Sequence, residues 1–218
     1  MIARPAARRW MRRLPWREAP LVALDVEATG LDPDRDEVVS FAAVPIDGGR
    51  IVASRVVYQV VRPRVASSPE SVAIHGILPA DVESAPPMSE VSERLADAVR
   101  GRVPIAHPAW VERMFLDPIL RAHRLRLGST MVDTSMLHRL LMIEREMRDP
   151  GPTSLSACAR LAGVPAERPH HARGDALTCA ELFLALATHL EGFGHGSIGG
   201  LMRAHRKVEA WRLLHPPR

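Results

Sequence analysis

The sequence has little cysteine and no long apolar run. Its two cysteines, Cys158 and Cys179, fall in helical patterns without CxxC spacing. This favours buried thiols in a reducing compartment over a disulfide or a zinc site. No apolar run approaches the roughly 18 residues that span a bilayer, and the arginine-rich N-terminus lacks the apolar core of a secretory signal. We therefore expect a cytoplasmic protein with no membrane partner.

Lysine is also scarce, and the charge is unevenly distributed along the 218 residues. Lys207 is the only lysine, and the formal net charge is +4. The first eighteen and the last twenty-eight residues together carry eleven basic and three acidic side chains, which leaves the segment between them acidic. Basic ends suit a phosphate-rich partner, and they equally suit plain solvated tails.

The order of apolar and turn-forming segments predicts an α/β domain. Residues 21–28, 37–46 and 51–61 have the pattern of three strands in an antiparallel meander, and short buried strands are predicted at 103–107 and 130–133. Helices are predicted at 88–100, from about 109, at 134–148, at 154–162 and at 172–190. Strands first, followed by strand–helix alternation, indicate a sheet with helices on both faces.

The ends of the chain differ in composition from this body. We expect a basic N-terminal extension over 1–19, a body over 20–190, a linker over 191–200 and a basic amphipathic helix over 201–218. Five glycines in the nine residues GFGHGSIGG predict that the linker is flexible. The terminal helix is expected to dock on the body, to bind a partner, or to touch nucleic acid. Its apolar stripe consists of Leu201, Ala204, Val208, Trp211 and Leu214.

Two carboxylates interrupt the first predicted strand. In LVALDVEATGL, residues 21–31, Asp25 and Glu27 lie two positions apart, so their side chains point to the same face. Like charges held side by side on an apolar strand repel each other and lose hydration. A compensating group must therefore stand opposite them.

Two later acids lie on core-facing helical stripes. Core residues follow Asp175 at offsets 3, 4, 7 and 11, and Glu112 at offsets 3, 4 and 7. Asp117 lies about 140° around the helix from Glu112 and should face away. The alternatives are an acid at Asp175 that complements the helix dipole and a partly exposed glutamate at Glu112. His170, in the loop before Asp175, can bring an imidazole to the same carboxylates.

Carboxylates from one strand and two helices are explained together if they surround metal ions. Hard oxygen ligands suit magnesium or manganese, whose positive charge neutralises them. Two such ions about 3.5–4 Å apart are an established device for phosphoryl chemistry. A neutral histidine nearby can take a proton from water.

Three ordered motifs connect these residues. The pattern D-x-E-x-T-G-L occurs at 25–31, and H-x-A-x-x-D-A at 170–176, where the offset selects His170 rather than His171. The segments IHGI at 74–77, SAPPMSEV at 84–91 and VDT at 132–134 lie between them. Over residues 20 to 190 the set resembles the DEDD superfamily of 3′–5′ exonucleases, histidine subtype, the group that contains the proofreading epsilon subunit of bacterial DNA polymerase III.

The second motif departs from the family pattern H-N-A-x-F-D. The chain has HPAWVE at 107–112, with Pro108 for asparagine, Val111 for phenylalanine and Glu112 for aspartate. Glutamate keeps the charge and the oxygen ligands but reaches one methylene further. We expect metal ligation to survive with altered geometry.

The resemblance implies a ribonuclease H-like α/β fold, with a mixed five-stranded sheet and helices on both faces. It implies a 3′–5′ exonuclease that hydrolyses the 3′ end of single-stranded nucleic acid, with DNA favoured, and releases nucleoside 5′-monophosphates. Asp25, Glu27, Glu112 and Asp175 would hold two divalent cations, Mg²⁺ or Mn²⁺, and His170 would act as the general base.

The resemblance also implies contacts between the terminal nucleotide and Thr29, Gly30 and Leu31. His75 and Trp110 are further candidates, for which a packing role is an equal interpretation. Asp133 is interpreted as a structural helix cap. The alternatives are an RNA 3′-end exonuclease and a catalytically weakened nucleic-acid-binding module, attached to a polymerase or repair partner through the terminal helix.

Overall fold

A computed structural model describes residues 10–128, 131–147, 151–166 and 168–214. Residues 1–9, 130, 148 and 215–218, on which the ends of predicted segments fall, lie outside the described residues. The strands are β1 Leu21–Ala28, β2 Val38–Asp47, β3 Arg50–Ile51, β4 Val57–Val60, β5 Val103–Ala106 and β6 Val132–Asp133. The helices are α1 Pro69–His75, α2 Pro79–Glu83, α3 Met88–Val99, α4 Ala109–Ala122, α5 Thr134–Glu144, α6 Leu155–Leu161, α7 Ala172–Glu191, α8 Ile198–Met202 and α9 Ala204–Leu214.

The strands form one mixed sheet with β1 at its centre. The order is β3-β2-β1-β5-β6, and β4 also pairs with β2. Strand β1 is antiparallel to β2 and parallel to β5, which is parallel to β6. One apolar cluster packs α5 and α7 on one face of the sheet, and a second packs α3 and α4 on the other. The predicted α/β fold with a mixed sheet and helices on both faces is confirmed.

The sheet has six strands among the described residues, where five were predicted, because the segment 51–61 is divided. Between the pairs Ala43–Val57 and Ile46–Ile51, β2 advances three residues while its partner advances six. The three extra residues form a 3₁₀ turn at Ala53–Arg55. Both halves of the predicted strand therefore still pair with β2.

The glycine-rich segment that was predicted to be a flexible linker packs on the body instead. Ile198 and Leu201 are buried, and Gly199 N donates a hydrogen bond to Arg12 O at 2.8 Å. A Cβ at Gly199 would lie only 2.8 Å from that oxygen, so glycine here permits close approach of two backbones. Helix α9 docks back on α5, with Ala204 and Val208 buried. Within the described ranges, no helix is long and apolar enough to cross a membrane.

Candidate active site

The centre of the site is formed by one strand and one helix. Asp25 and Glu27 lie in β1, and Asp175 lies in the first turn of α7, which packs against that strand. One carboxylate oxygen from each of the three lies within 4.8 Å of the others. The period of two in β1 and the first turn of α7 thus bring the predicted acids together.

Glu112 approaches the same centre from the first turn of α4. Its side chain is 2% exposed, and its Oε2 has no hydrogen-bond partner among the described residues. It stands outside the group of three that lies within 4.8 Å. It is nevertheless near enough to Asp25 for its charge to raise the pKa of that carboxyl.

All four carboxyls are harder to ionise than usual. Burial, followed by repulsion from Glu112, Glu27 and Asp175, raises the pKa of Asp25 well above its ordinary value. Burial and Asp175 raise the pKa of Glu27 to about 8. Burial also raises the pKa of Glu112 to about 8, against a backbone hydrogen bond that lowers it. Burial raises the pKa of Asp175, against the N–H of His170. A positive charge near this cluster would favour the ionised form of its carboxyls.

The residues present fit a hard divalent cation. The donors are carboxylate oxygens, which magnesium and manganese prefer. The three central groups are close enough to share one ion, and the unpartnered Oε2 of Glu112 offers a further ligand atom. A bound cation would offset the burial that raises all four pKa values, and the repulsion that adds to it at Asp25, Glu27 and Glu112.

Two contacts position the loop that contains His170 and His171. His170 N donates to Asp175 Oδ2 at 2.9 Å, and His170 adopts a left-handed conformation with φ of 61°. The ring of His171 stacks on Tyr58 of β4, with centroids 4.9 Å apart and planes 29° apart. The exposed His170 is thus held next to the acids by its own backbone and by its neighbour's ring. No sequence motif marked Tyr58.

A cleft of about 330 Å³ opens beside Glu27. Three of the four predicted nucleotide contacts line it, namely Gly30, Leu31 and His75. Leu31 is 76% exposed at the rim. His75 Nδ1 accepts a hydrogen bond from Ile77 N at 3.0 Å, so its buried Nε2 carries the proton. The cleft therefore combines an apolar lip with a largely buried histidine in its wall.

Thr29, the fourth predicted contact, uses its side chain within its own loop. Its Oγ1 donates to Asp36 Oδ1 at 2.8 Å and accepts from Glu37 N at 3.0 Å. A Cβ at Gly30 would lie 2.3 Å from Asp36 Oδ2, so glycine makes room for that carboxylate. Asp36 therefore shapes the loop beside the cleft. No motif in the sequence marked Asp36, the last residue of the turn-like segment DPDRD at 32–36.

Two other acids, Asp133 and Asp117, have structural roles. Asp133 caps α5 by accepting from Ser135 N at 2.9 Å, and its other oxygen accepts from Ala109 N at 3.1 Å, at the start of α4. This confirms the interpretation of Asp133 as a cap. Asp117 accepts from Leu127 N at 2.6 Å. Trp110 is an exposed residue in the first turn of α4.

Comparison with known sequences identifies relatives of this chain. Residues 22–183 match the family model described as exonuclease (RNase_T). The chain is 34% identical over 196 residues to a DNA polymerase III subunit epsilon-like protein of Rhodobacter capsulatus, covering 88% of this chain and 27% of that protein. It is 28% identical to a DNA polymerase III PolC-type protein of Caldanaerobacter subterraneus, covering 90% and 14%. The chain thus spans about a quarter or less of these relatives' length.

Solved structures share the fold. Exonuclease X in complex with 5′ overhanging duplex DNA superposes with a TM-score of 0.64 and 24% identity, covering 84% of this chain and 99% of that one. E. coli Exonuclease I in complex with a dT13 oligonucleotide gives 0.69 and 15%, covering 81% and 43%. The nuclease domain of 3′hExo, a DEDDh family member bound to rAMP, gives 0.63 and 18%, covering 80% and 94%.

Proposed function

The chain belongs to the exonuclease family, and from this membership and its acidic site we propose that it is a metal-dependent 3′–5′ exonuclease of the histidine subtype. Its substrate is the 3′ end of a single strand, and its products are nucleoside 5′-monophosphates. The convergence of Asp25, Glu27 and Asp175 beside a cleft is the observation that carries this proposal. DNA is favoured over RNA because the sequence relatives are named as DNA polymerase III proteins.

Four carboxylates are proposed to hold two divalent cations, Mg²⁺ or Mn²⁺. These are Asp25, Glu27, Glu112 and Asp175. When bound, such cations supply the positive charge that stabilises the phosphate as negative charge develops on it. Glu112 replaces the family's aspartate, and its buried Oε2 without a hydrogen-bond partner supports a ligand role.

The cleft is proposed to hold the terminal nucleotide. Leu31 at its rim packs on a base face, which needs no particular base because every base has a π-face. His75 lines the same cleft and is proposed to pack against the nucleotide. Gly30 and the backbone around it border the site beside Glu27.

His170 is proposed to act as the general base. A water attacks the terminal phosphorus and gives its proton to a ring nitrogen of His170. The bond from phosphorus to the 3′ oxygen of the preceding nucleotide breaks, and that oxygen takes a proton from solvent. The bond from His170 N to Asp175 and the stack of His171 on Tyr58 hold the base loop in place.

Product analysis on a single-stranded DNA oligonucleotide tests the proposal. With Mn²⁺, a 5′-labelled strand should shorten stepwise and release nucleoside 5′-monophosphates. Asp25→Asn should lower the rate by at least about a hundredfold, whereas Asp34→Asn, at an exposed loop acid, should not. Equal rates for wild type and Asp25→Asn, or release of the 5′-terminal nucleotide first, would contradict the assignment.

Two alternatives give different results in the same assays. Faster hydrolysis of RNA in competition with a DNA strand of matched sequence would make the protein an RNA 3′-end exonuclease. Glu112 in place of aspartate favours the second alternative, a weakened nucleic-acid-binding module, which would bind strands without metal-dependent cleavage. A DNA polymerase is the proposed protein partner, because the relatives carry that name. The terminal helix α9 is the candidate attachment.

A further inference from the structure

Two basic segments from opposite ends of the chain meet on one surface. Ile198 N donates to Leu14 O at 3.0 Å, and Gly199 N donates to Arg12 O at 2.8 Å. Gly199 is required at this crossing because a Cβ would lie 2.8 Å from Arg12 O. The charges at the two ends of the sequence therefore belong to a single surface.

Four exposed arginines lie at this crossing or close to it along the chain, and we call them the terminal arginine patch: Arg12, Arg13, Arg203 and Arg206. Arg12 Cβ and Arg203 Nη1 each lie 3.4 Å from the position that a Cβ of Gly199 would occupy. Lys207 N donates to Arg203 O at 3.1 Å, so the helical path continues through Arg203. Arg203 and Arg206, three residues apart on that path, share one face.

The patch has little negative charge to offset it. Acids near it are paired with other bases: Glu191 with Arg17 at 3.1 Å, Glu209 with Arg212 at 3.2 Å, and Glu144 with Lys207 at 3.6 Å and His195 at 2.7 Å. Glu18, the remaining acid of the two terminal segments, is exposed. Within the described ranges, no carboxylate lies within ion-pair distance of a patch arginine. Guanidinium groups collected in this way suit a polyanion, since their planar donors match phosphate.

We propose that the terminal arginine patch binds the phosphate backbone of the substrate strand, upstream of the 3′ end held in the cleft. This rests on the proposed function, which already brings such a strand to the molecule. Helix α7 carries Asp175 at one end and Glu191, sixteen residues later, at the other. At 1.5 Å per residue these ends are about 24 Å apart, and the ion pair from Arg17 to Glu191 ties the N-terminal segment to the far end.

This distance makes the proposal specific for long strands. At about 3.4 Å per nucleotide, the spacing along one strand of a stacked duplex, about seven nucleotides cover 24 Å, and a more extended single strand needs fewer. A trinucleotide can fill the cleft and the metal site but cannot reach the patch. Binding to phosphate carries no sequence information, so the effect should not depend on base sequence.

The test compares two double variants of the full-length chain with equal changes in net charge. Arg203→Ala/Arg206→Ala removes half of the patch. Arg100→Ala/Arg212→Ala removes two exposed arginines that are in ion pairs elsewhere. kcat/KM is measured on a strand of about 20 nucleotides and on a trinucleotide, from about 50 to 200 mM salt.

The patch variant should lose part of the salt dependence on the long strand only. Each lost phosphate contact reduces the slope of log affinity against log salt by about 0.7 for single strands. If two contacts are lost, the fourfold increase in salt should reduce kcat/KM on the long strand about sevenfold less for the patch variant than for the wild type. The control variant should match the wild type on both substrates. Arg203→Lys/Arg206→Lys, which keeps the charge, should restore most of the slope.

Two results would overturn the proposal. One is a salt slope for the patch variant equal to that of the control, as expected if the patch binds a protein instead. The other is an equal loss on the trinucleotide, which is too short to reach the patch. Failure of the proposed function is distinguishable, because the wild type would then hydrolyse neither substrate. In that case the affinity for the labelled long strand is measured in EDTA by fluorescence anisotropy. The slope of log affinity against log salt is then compared between the patch variant and the control.

Discussion

Replacing Glu112 by glutamine should stabilise the metal-free protein at neutral and alkaline pH. The glutamate is buried, and its pKa rises from 4.5 to about 8, mainly because of burial. Between these values the folded protein binds more protons than the unfolded chain. The free energy of unfolding of the wild type therefore falls as pH rises through this window, and it levels off above the folded pKa. Glutamine has no such titration.

The size of the effect follows from the width of the window. One pKa unit corresponds to about 1.4 kcal/mol. Ionisation of Glu112 alone should remove about 3–4 kcal/mol from the stability of the folded protein between pH 5 and pH 8. For a chain of this size, that is about 6–16 °C in melting temperature. In a chelator the variant should melt higher than the wild type by this amount at pH 8 and at nearly the same temperature at pH 5.

Thermal unfolding followed by circular dichroism, in EDTA and in Mn²⁺, measures this difference. A cation that binds the folded, ionised carboxylates stabilises the wild type, so Mn²⁺ should reduce or reverse the advantage of Glu112→Gln. The control is Glu37→Gln. Although burial opposes it, hydrogen bonds from Arg64 lower the pKa of Glu37, so losing that charge should not stabilise the protein at pH 8. Parallel curves for wild type and Glu112→Gln across pH in EDTA would refute the reasoning.

Two further substitutions test packing around the site and the termini. Gly199→Ala, with a Cβ 2.8 Å from Arg12 O, should lower the melting temperature by about 2–12 °C. Gly196→Ala, whose Cβ would meet only a glutamate side chain at 3.4 Å, should change it little; equal values would contradict the close approach. Tyr58→Ala should lower kcat about two- to tenfold by releasing the stack on His171 while KM stays unchanged. Tyr58→Phe should retain the rate, and a loss equal to that of Tyr58→Ala would implicate the hydroxyl instead.

Local periodicity was sufficient to predict the direction in which three of the acids point. The period of two in β1 places Asp25 and Glu27 on one face, and the helical stripe of α7 places Asp175 toward the core. These patterns depend on neighbours within one element, so they are readable in a sequence. The division of the third predicted strand was missed because it arises from pairing with β2, where six residues of one chain segment oppose three of the other.

The roles of Asp36 and Tyr58 depend on contacts that no short pattern encodes. Asp36 sits in a turn of acidic and proline residues, where any of the acids is a plausible turn former. Its carboxylate is distinguished only by the space that Gly30 leaves and by the hydrogen bond from Thr29. Nothing in the local sequence distinguishes Tyr58 from other aromatic residues in strands. Its role comes from His171, which precedes α7 and stacks on the Tyr58 ring.

The glycine-rich segment shows most clearly why composition alone misleads. A run of glycines has the same composition whether it loosens a chain or lets two backbones touch. The difference at Gly199 is the carbonyl of Arg12, which lies almost the whole length of the chain away in sequence. The same contact joins two basic tails into one surface. A charge count along the sequence therefore understates the local electrostatic field where the fold brings the two ends together. The salt dependence of kcat/KM on long strands should reveal this field.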